Sequence, residues 1–133
     1  MNSVFLDTVG LLALWNRRDQ WHDPAMQAYR QFLVVKAQFF TSPYVLLECG
    51  NAAARRPFRP EVDLLRQRLH KRGQILVPTD DDTPLAWEAF NRGEADEAGI
   101  VDHFSFLLMR RHGLTQAFTN DHHFRAAGFQ TLF

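Results

Sequence analysis

Asp7, Glu48, Asp102 and Asp121 are the residues around which chemistry can be built in this chain. Asp7 closes the short apolar run Ser3 to Leu6, and Asp121 follows a similar run, Thr115 to Thr119. Glu48 lies about one and a half turns into a helix that Pro43 opens, and Asp102 stands near the start of the helical stretch Ala98 to Arg111 with Ser105 on the same side. Carboxylates gathered in one pocket repel, and without compensation at least one is pushed to hold a proton. A divalent cation removes the conflict. An all-oxygen donor set suits Mg²⁺ or Mn²⁺, which keep several waters and take substrate phosphate as a further ligand. The chemistry favoured by such a site is hydrolysis at phosphorus, with the cation activating a water and offsetting charge on the phosphoryl oxygens.

The acids need elements that carry them to one place. Apolar periodicity predicts strands at Ser3–Leu6, Gln38–Ser42, Gln74–Val77, Thr115–Thr119 and Phe129–Phe133, separated by helices. Asp7-Thr8 turns the first strand into a helix, and a second helix covers Trp21 to Val35 with Asp23-Pro24 at its start. Pro60 opens a charged helix closed by Gly73, and Asp80-Asp81-Asp82 with Pro84 reads as a solvated helix start. Ile100, Val101, Phe104, Leu107 and Leu108 give the helix around Asp102 an apolar stripe, and His112-Gly113 ends it. Strands alternating with helices predict an α/β fold, a parallel sheet of about five strands between two layers of helices. In such sheets functional side chains gather at the carboxyl ends of the strands, where Asp7 and Asp121 fall.

Composition narrows the class. The chain has 133 residues, 46% of them hydrophobic and 23% charged, which predicts one globular domain, 1–133, with a packed core. No apolar run approaches the roughly 18 residues needed to span a bilayer, and Met1 to Asp7 lacks the basic start and long apolar stretch of a signal peptide. A cytoplasmic protein without membrane attachment is expected. The formal net charge is zero, which argues against indiscriminate coating of nucleic acid, yet all basic residues except Lys36 and Lys71 are arginine. They fall in local groups at Arg17-Arg18, Arg55-Arg56 with Arg59, Arg66 with Arg68, and Arg110-Arg111. Cys49 has no thiol companion, and the six histidines include no His-Glu-x-x-His helix, so no zinc site is expected.

Taken in order, Val4-Phe5-Leu6-Asp7-Thr8, Ser42-Pro43-Tyr44-Val45-Leu46-Leu47-Glu48, Gly99-Ile100-Val101-Asp102-His103-Phe104-Ser105-Phe106 and Thr119-Asn120-Asp121-His122-His123-Phe124 resemble the acidic motifs of PIN-domain ribonucleases, especially VapC-type toxins. The likeness covers essentially the whole chain and departs at none of the acidic positions. It implies a PIN fold, Mg²⁺- or Mn²⁺-dependent endoribonuclease activity, a homodimer and neutralisation by a VapB-type antitoxin. By motif position Asp7, Glu48, Asp102 and Asp121 would hold the metal, Thr8 and Ser105 would support the pocket, and Thr119 and Asn120 would shape its rim. Two other readings stand beside it. A phosphatase-like Mg²⁺ enzyme also uses strand-end aspartates, but no Asp-x-Asp-x-Thr follows the first strand. A non-catalytic RNA- or protein-binding module would have no physical need to crowd carboxylates together.

Overall fold

The computed structural model describes residues 2–133. Its strands are β1 (Ser3–Leu6), β2 (Gln38–Phe40), β3 (Gln116–Phe118) and β4 (Gln130–Thr131). They pair in parallel in the order β2-β1-β3-β4, with Phe5 facing both Phe40 and Ala117 in register. The chain builds outward from β1 first to β2 and then, on the other side, to β3 and β4. The point where this direction reverses lies between β1 and β3, and the crevice at the carboxyl ends of those strands is where such sheets place their ligands.

The helices fall into two groups. On one side are α1 (Thr8–Trp15), α2 (His22–Val34), α3 (Pro43–Ala53) and α4 (Arg59–Lys71), packed α1 on α2 and α3, and α3 on α4. The other group comprises α5 (Asp82–Asn91), α6 (Glu94–Glu97), α7 (Ile100–Arg111) and α8 (His122–Ala126), packed α5 on α7 and α6 on α8. Val4, Phe5 and Leu6 of β1 and Ala117 and Phe118 of β3 are fully buried, so both faces of the central strands are covered. The result is the α/β architecture expected. Gly10 allows its tightest contact: a Cβ there would stand 1.9 Å from the Phe118 carbonyl oxygen, so only glycine lets α1 lie this close to β3.

Two expectations need correction, and one feature of the backbone has no counterpart in the sequence reading. Gln74–Val77 does not make a fifth strand. It forms a single parallel bridge, Thr41 to Ile75, in which Leu76 N–H donates to the Thr41 carbonyl at 2.7 Å. Pro78 has no N–H to continue the ladder and Val77 is left exposed. Asp82 is not solvated: it is buried, and both its oxygens bind the Arg111 guanidinium while Oδ2 also accepts from Thr79 N–H at 2.6 Å. Ahead of α7, finally, the chain makes a left-handed turn with φ of 55°, 60° and 60° at Ala95, Asp96 and Glu97. Such a conformation costs on the order of 1–2 kcal/mol per residue, which propensity reasoning on Glu-Ala-Asp-Glu does not anticipate.

Candidate metal centre

Asp7 lies deepest. Its backbone ends β1 and its side chain caps α1, accepting from Val9 N–H at 3.4 Å. It is only 2% exposed. The Thr119 hydroxyl accepts from Asp121 N–H at 3.1 Å and its side chain acts to lower the Asp7 pKa, so one residue bears on both acids at the ends of β1 and β3. Asp121 in turn caps α8, accepting from His123 N–H at 3.0 Å. The capping roles of Asp7 and Asp121 are therefore real, and each uses one oxygen for the cap while leaving the other available.

Glu48 projects from the middle of α3, whose start is set by Ser42 capping Val45 N–H and by Pro43 in the first turn. The Thr8 hydroxyl donates to Glu48 Oε1 at 2.7 Å, fixing the carboxylate over the first turn of α1. Asp102 stands in the first turn of α7. A second hydroxyl, that of the fully buried Thr41, donates to the Leu6 carbonyl at 2.8 Å and holds the end of β2 against the residue preceding Asp7. Nothing in its sequence context marks that role.

The acids perturb one another. Asp7 is pushed up to about 8, first by burial, then by the Asp102 and Asp121 carboxylates, against the hydrogen bond from Thr119. Asp102 is pushed up to about 6 by burial and by Asp121 and Glu48, with His123 opposing. Glu48 and Asp7 also bear on Cys49, whose thiol is driven up to about 12, mainly by burial, and so stays protonated and unreactive. Among the described residues, the arginine and lysine ion pairs are Arg66–Asp63, Arg92–Glu94 and Arg111–Asp82. No such cation neutralises any of the acids at the β1/β3 crevice. The donor set, oxygen only, mutually repelling and without a lysine or arginine counter-ion, fits a hard divalent cation such as Mg²⁺ or Mn²⁺.

The supporting residues divide. Thr8 binds the Glu48 carboxylate directly, and Thr119 accepts from the Asp121 backbone N–H. The Ser105 hydroxyl instead donates to the Val101 carbonyl at 3.1 Å within its own helix. Asn120 offers its backbone carbonyl to Arg125 at 3.4 Å. Two of the arginine pairs lie away from the acids: Arg17, Arg18, Arg55 and Arg56 line a groove at the far ends of α1 and α3, about 12 Å along α1 from Asp7. The residues that stand beside the acids are His122 and His123.

A parallel sheet with carboxylates at its direction reversal, each on a different element, is the arrangement of the PIN domain, and the sequence model of that family matches residues 4–130. The chain belongs to the PIN domain family. Two curated sequences, from Mycobacterium tuberculosis strains CDC 1551 / Oshkosh and ATCC 25618 / H37Rv, are each 33% identical to it over 127 residues, 95% of either chain, and each is named 23S rRNA-specific endonuclease VapC20. The crystal structure of M. tuberculosis VapC20, described as a sarcin-ricin loop cleaving toxin, superposes with a TM-score of 0.74 at 28% identity, covering 95% of each chain. FitAcB from Neisseria gonorrhoeae shares the fold, with a TM-score of 0.64 at 16% identity over 98% of this chain and 96% of its own.

Proposed function

We propose that this protein is an endoribonuclease, the toxin of a toxin–antitoxin pair, and that Asp7, Glu48, Asp102 and Asp121 hold the Mg²⁺ or Mn²⁺ on which its activity depends. The observation that supports the reading most is the upward push on Asp7 and Asp102 by burial and by neighbouring carboxylates, with no lysine or arginine ion pair to any of the four acids among the described residues. A bound divalent cation would supply charge neutralisation at the scissile phosphate and acidify a water. The chain's own part is positioning. Asp7, buried and accepting from Val9 N–H, is the deepest member of the donor set. Thr8 aims Glu48, and the α8 cap aims Asp121, so three of the donors are pre-oriented by hydrogen bonds that need no ligand. By analogy with VapC20, the substrate is a loop of ribosomal RNA, whose unpaired bases are open to readout.

The partners proposed are a VapB-type antitoxin and a second copy of this chain. Leu33, Val34 and Val35 at the end of α2, and Leu85, Trp87 and Phe90 on α5, leave apolar surface exposed that such partners would cover. No helix is long and apolar enough to cross a membrane.

The test is cleavage of a ribosomal RNA fragment containing the sarcin-ricin loop by purified protein in Mg²⁺ or Mn²⁺, in EDTA, and with Asp7→Asn or Asp102→Asn. Cleavage confined to the metal-containing, unsubstituted protein supports the proposal. RNA binding that survives EDTA, with no cleavage under either metal, would assign the chain to the non-catalytic class.

A further inference from the structure

At the lip of the acidic crevice lies a group of different character. The left-handed turn before α7 presents Asp96, and the first turn of α8 presents His122 and His123. One potential ligand atom from each lies within 4.8 Å of the others, whereas atoms bound to a tetrahedral zinc ion stand roughly 3.4 Å apart. Small rotamer adjustments close that difference. The His123 ring is oriented in the manner of a metal ligand. His123 Nδ1 lies 3.1 Å from the Ala95 carbonyl, which can only accept, so Nδ1 is the donor and Nε2 is the ring nitrogen left to face a cation. His122 turns Nδ1 toward Asp121 Oδ1 at 3.8 Å and Nε2 toward Asp96 Oδ2 at 3.2 Å.

The geometry points to a second cation site, formed by Asp96, His122 and His123, that takes a borderline transition metal such as Zn²⁺ and is distinct in ligand chemistry from the carboxylate cluster proposed above. Two imidazoles and one carboxylate suit Zn²⁺ or Co²⁺ far better than Mg²⁺, which prefers oxygen donors. The three residues come from two elements that pack on each other, α6 and α8, so the site exists only in the folded chain. Asp96 is exposed and outside the carboxylate cluster, and water can complete the coordination. The adjacent histidines alone carry no such signal, because the third ligand is supplied by a backbone turn that the sequence does not announce.

Calorimetric titration with Zn²⁺ tests the site in the full chain carrying Asp7→Asn and Asp102→Asn, which removes charge from the carboxylate cluster. Asp96→Asn and His122→Ala are then added singly. Asparagine tolerates the left-handed backbone, so Asp96→Asn changes the donor while keeping the turn. The expected result is about one Zn²⁺ per chain in the parent and at least roughly tenfold weaker binding in each added variant. Substitution with Co²⁺ should give a visible band that His122→Ala removes. Zn²⁺ binding indifferent to both added substitutions, or none in the parent, overturns the assignment. Mn²⁺ binding followed by electron paramagnetic resonance in the otherwise unaltered chain reads the carboxylate cluster separately: it should be unmoved by Asp96→Asn and lost with Asp7→Asn. Failure of the nuclease reading would appear there and leave the zinc result standing.

Discussion

Asp7 and Asp82 are both aspartates at a helix start, 2% and 1% exposed, and their environments push them in opposite directions. Asp82 has a guanidinium across both its oxygens and sits at about 2; Asp7 has only other acids for charged company and sits at about 8. The Asp82–Arg111 pair joins the start of α5 to the end of α7, the helix that carries Asp102, and its chemistry is complete within the chain. At Asp7 the chemistry is incomplete. Burial alone does not set the behaviour of these two acids; what separates them is whether the fold provides the counter-charge.

The largest effect expected from breaking this contrast is on activity. Asp7→Asn should lower metal-dependent RNA cleavage by more than about 100-fold, while Asp82→Asn leaves the chemical step intact in single-turnover assays. Stability should move the other way. Asp82→Ala strands the Arg111 charge and should cost on the order of 2 kcal/mol in urea denaturation, the part-exposed guanidinium keeping the loss below that of a fully buried pair. Asp7→Asn in EDTA should raise Tm, because it removes a carboxyl that gains nothing from ionising.

The pH dependences should diverge as well. Asp82 binds its proton less tightly folded than unfolded, so its contribution is complete above about pH 4, the ordinary aspartate range, and disappears as pH falls through about 2. Asp7 binds its proton more tightly folded than unfolded. Without metal, the folded chain therefore loses stability as pH rises from about 4 to about 8, and the Tm advantage of Asp7→Asn should widen across that interval. The smallest effect sharpens the assignment of the acids. Millimolar Mg²⁺ should raise the Tm of the unsubstituted protein by a few degrees through preferential binding to the folded state, and do nothing for Asp7→Asn.

The candidate acids Asp7, Glu48 and Asp121 stand out in the sequence because each follows a local signal: an apolar run before Asp7, a proline-opened helix around Glu48, a short strand before Asp121. Their order along the chain added the rest, and carried the family with it. The strand at Gln74–Val77 was misread because its apolar residues look strand-like, whereas one bridge to Thr41 is all that Pro78 and the exposed Val77 allow. Asp82 was misread for a different reason. A run of three aspartates looks solvated, and the arginine that buries one of them is 29 residues away. The left-handed turn at Ala95–Glu97 was illegible in principle, since its residues individually favour the opposite hand and only packing of α6 on α8 sustains it.

The seat of Gly10 against the Phe118 carbonyl makes the crevice lopsided. On that side, helix and strand are locked with no room for even a methyl group, so the bank bearing Asp7 has no freedom to reshape. The turn from Gly93 to Glu97 packs Ala95 on the core but leaves the side chains of Glu94, Asp96 and Glu97 exposed. Drift in target preference among descendants of this protein should accumulate along that yielding margin, and a library of substitutions at both places, selected for altered RNA cleavage, should return winners from one of them only.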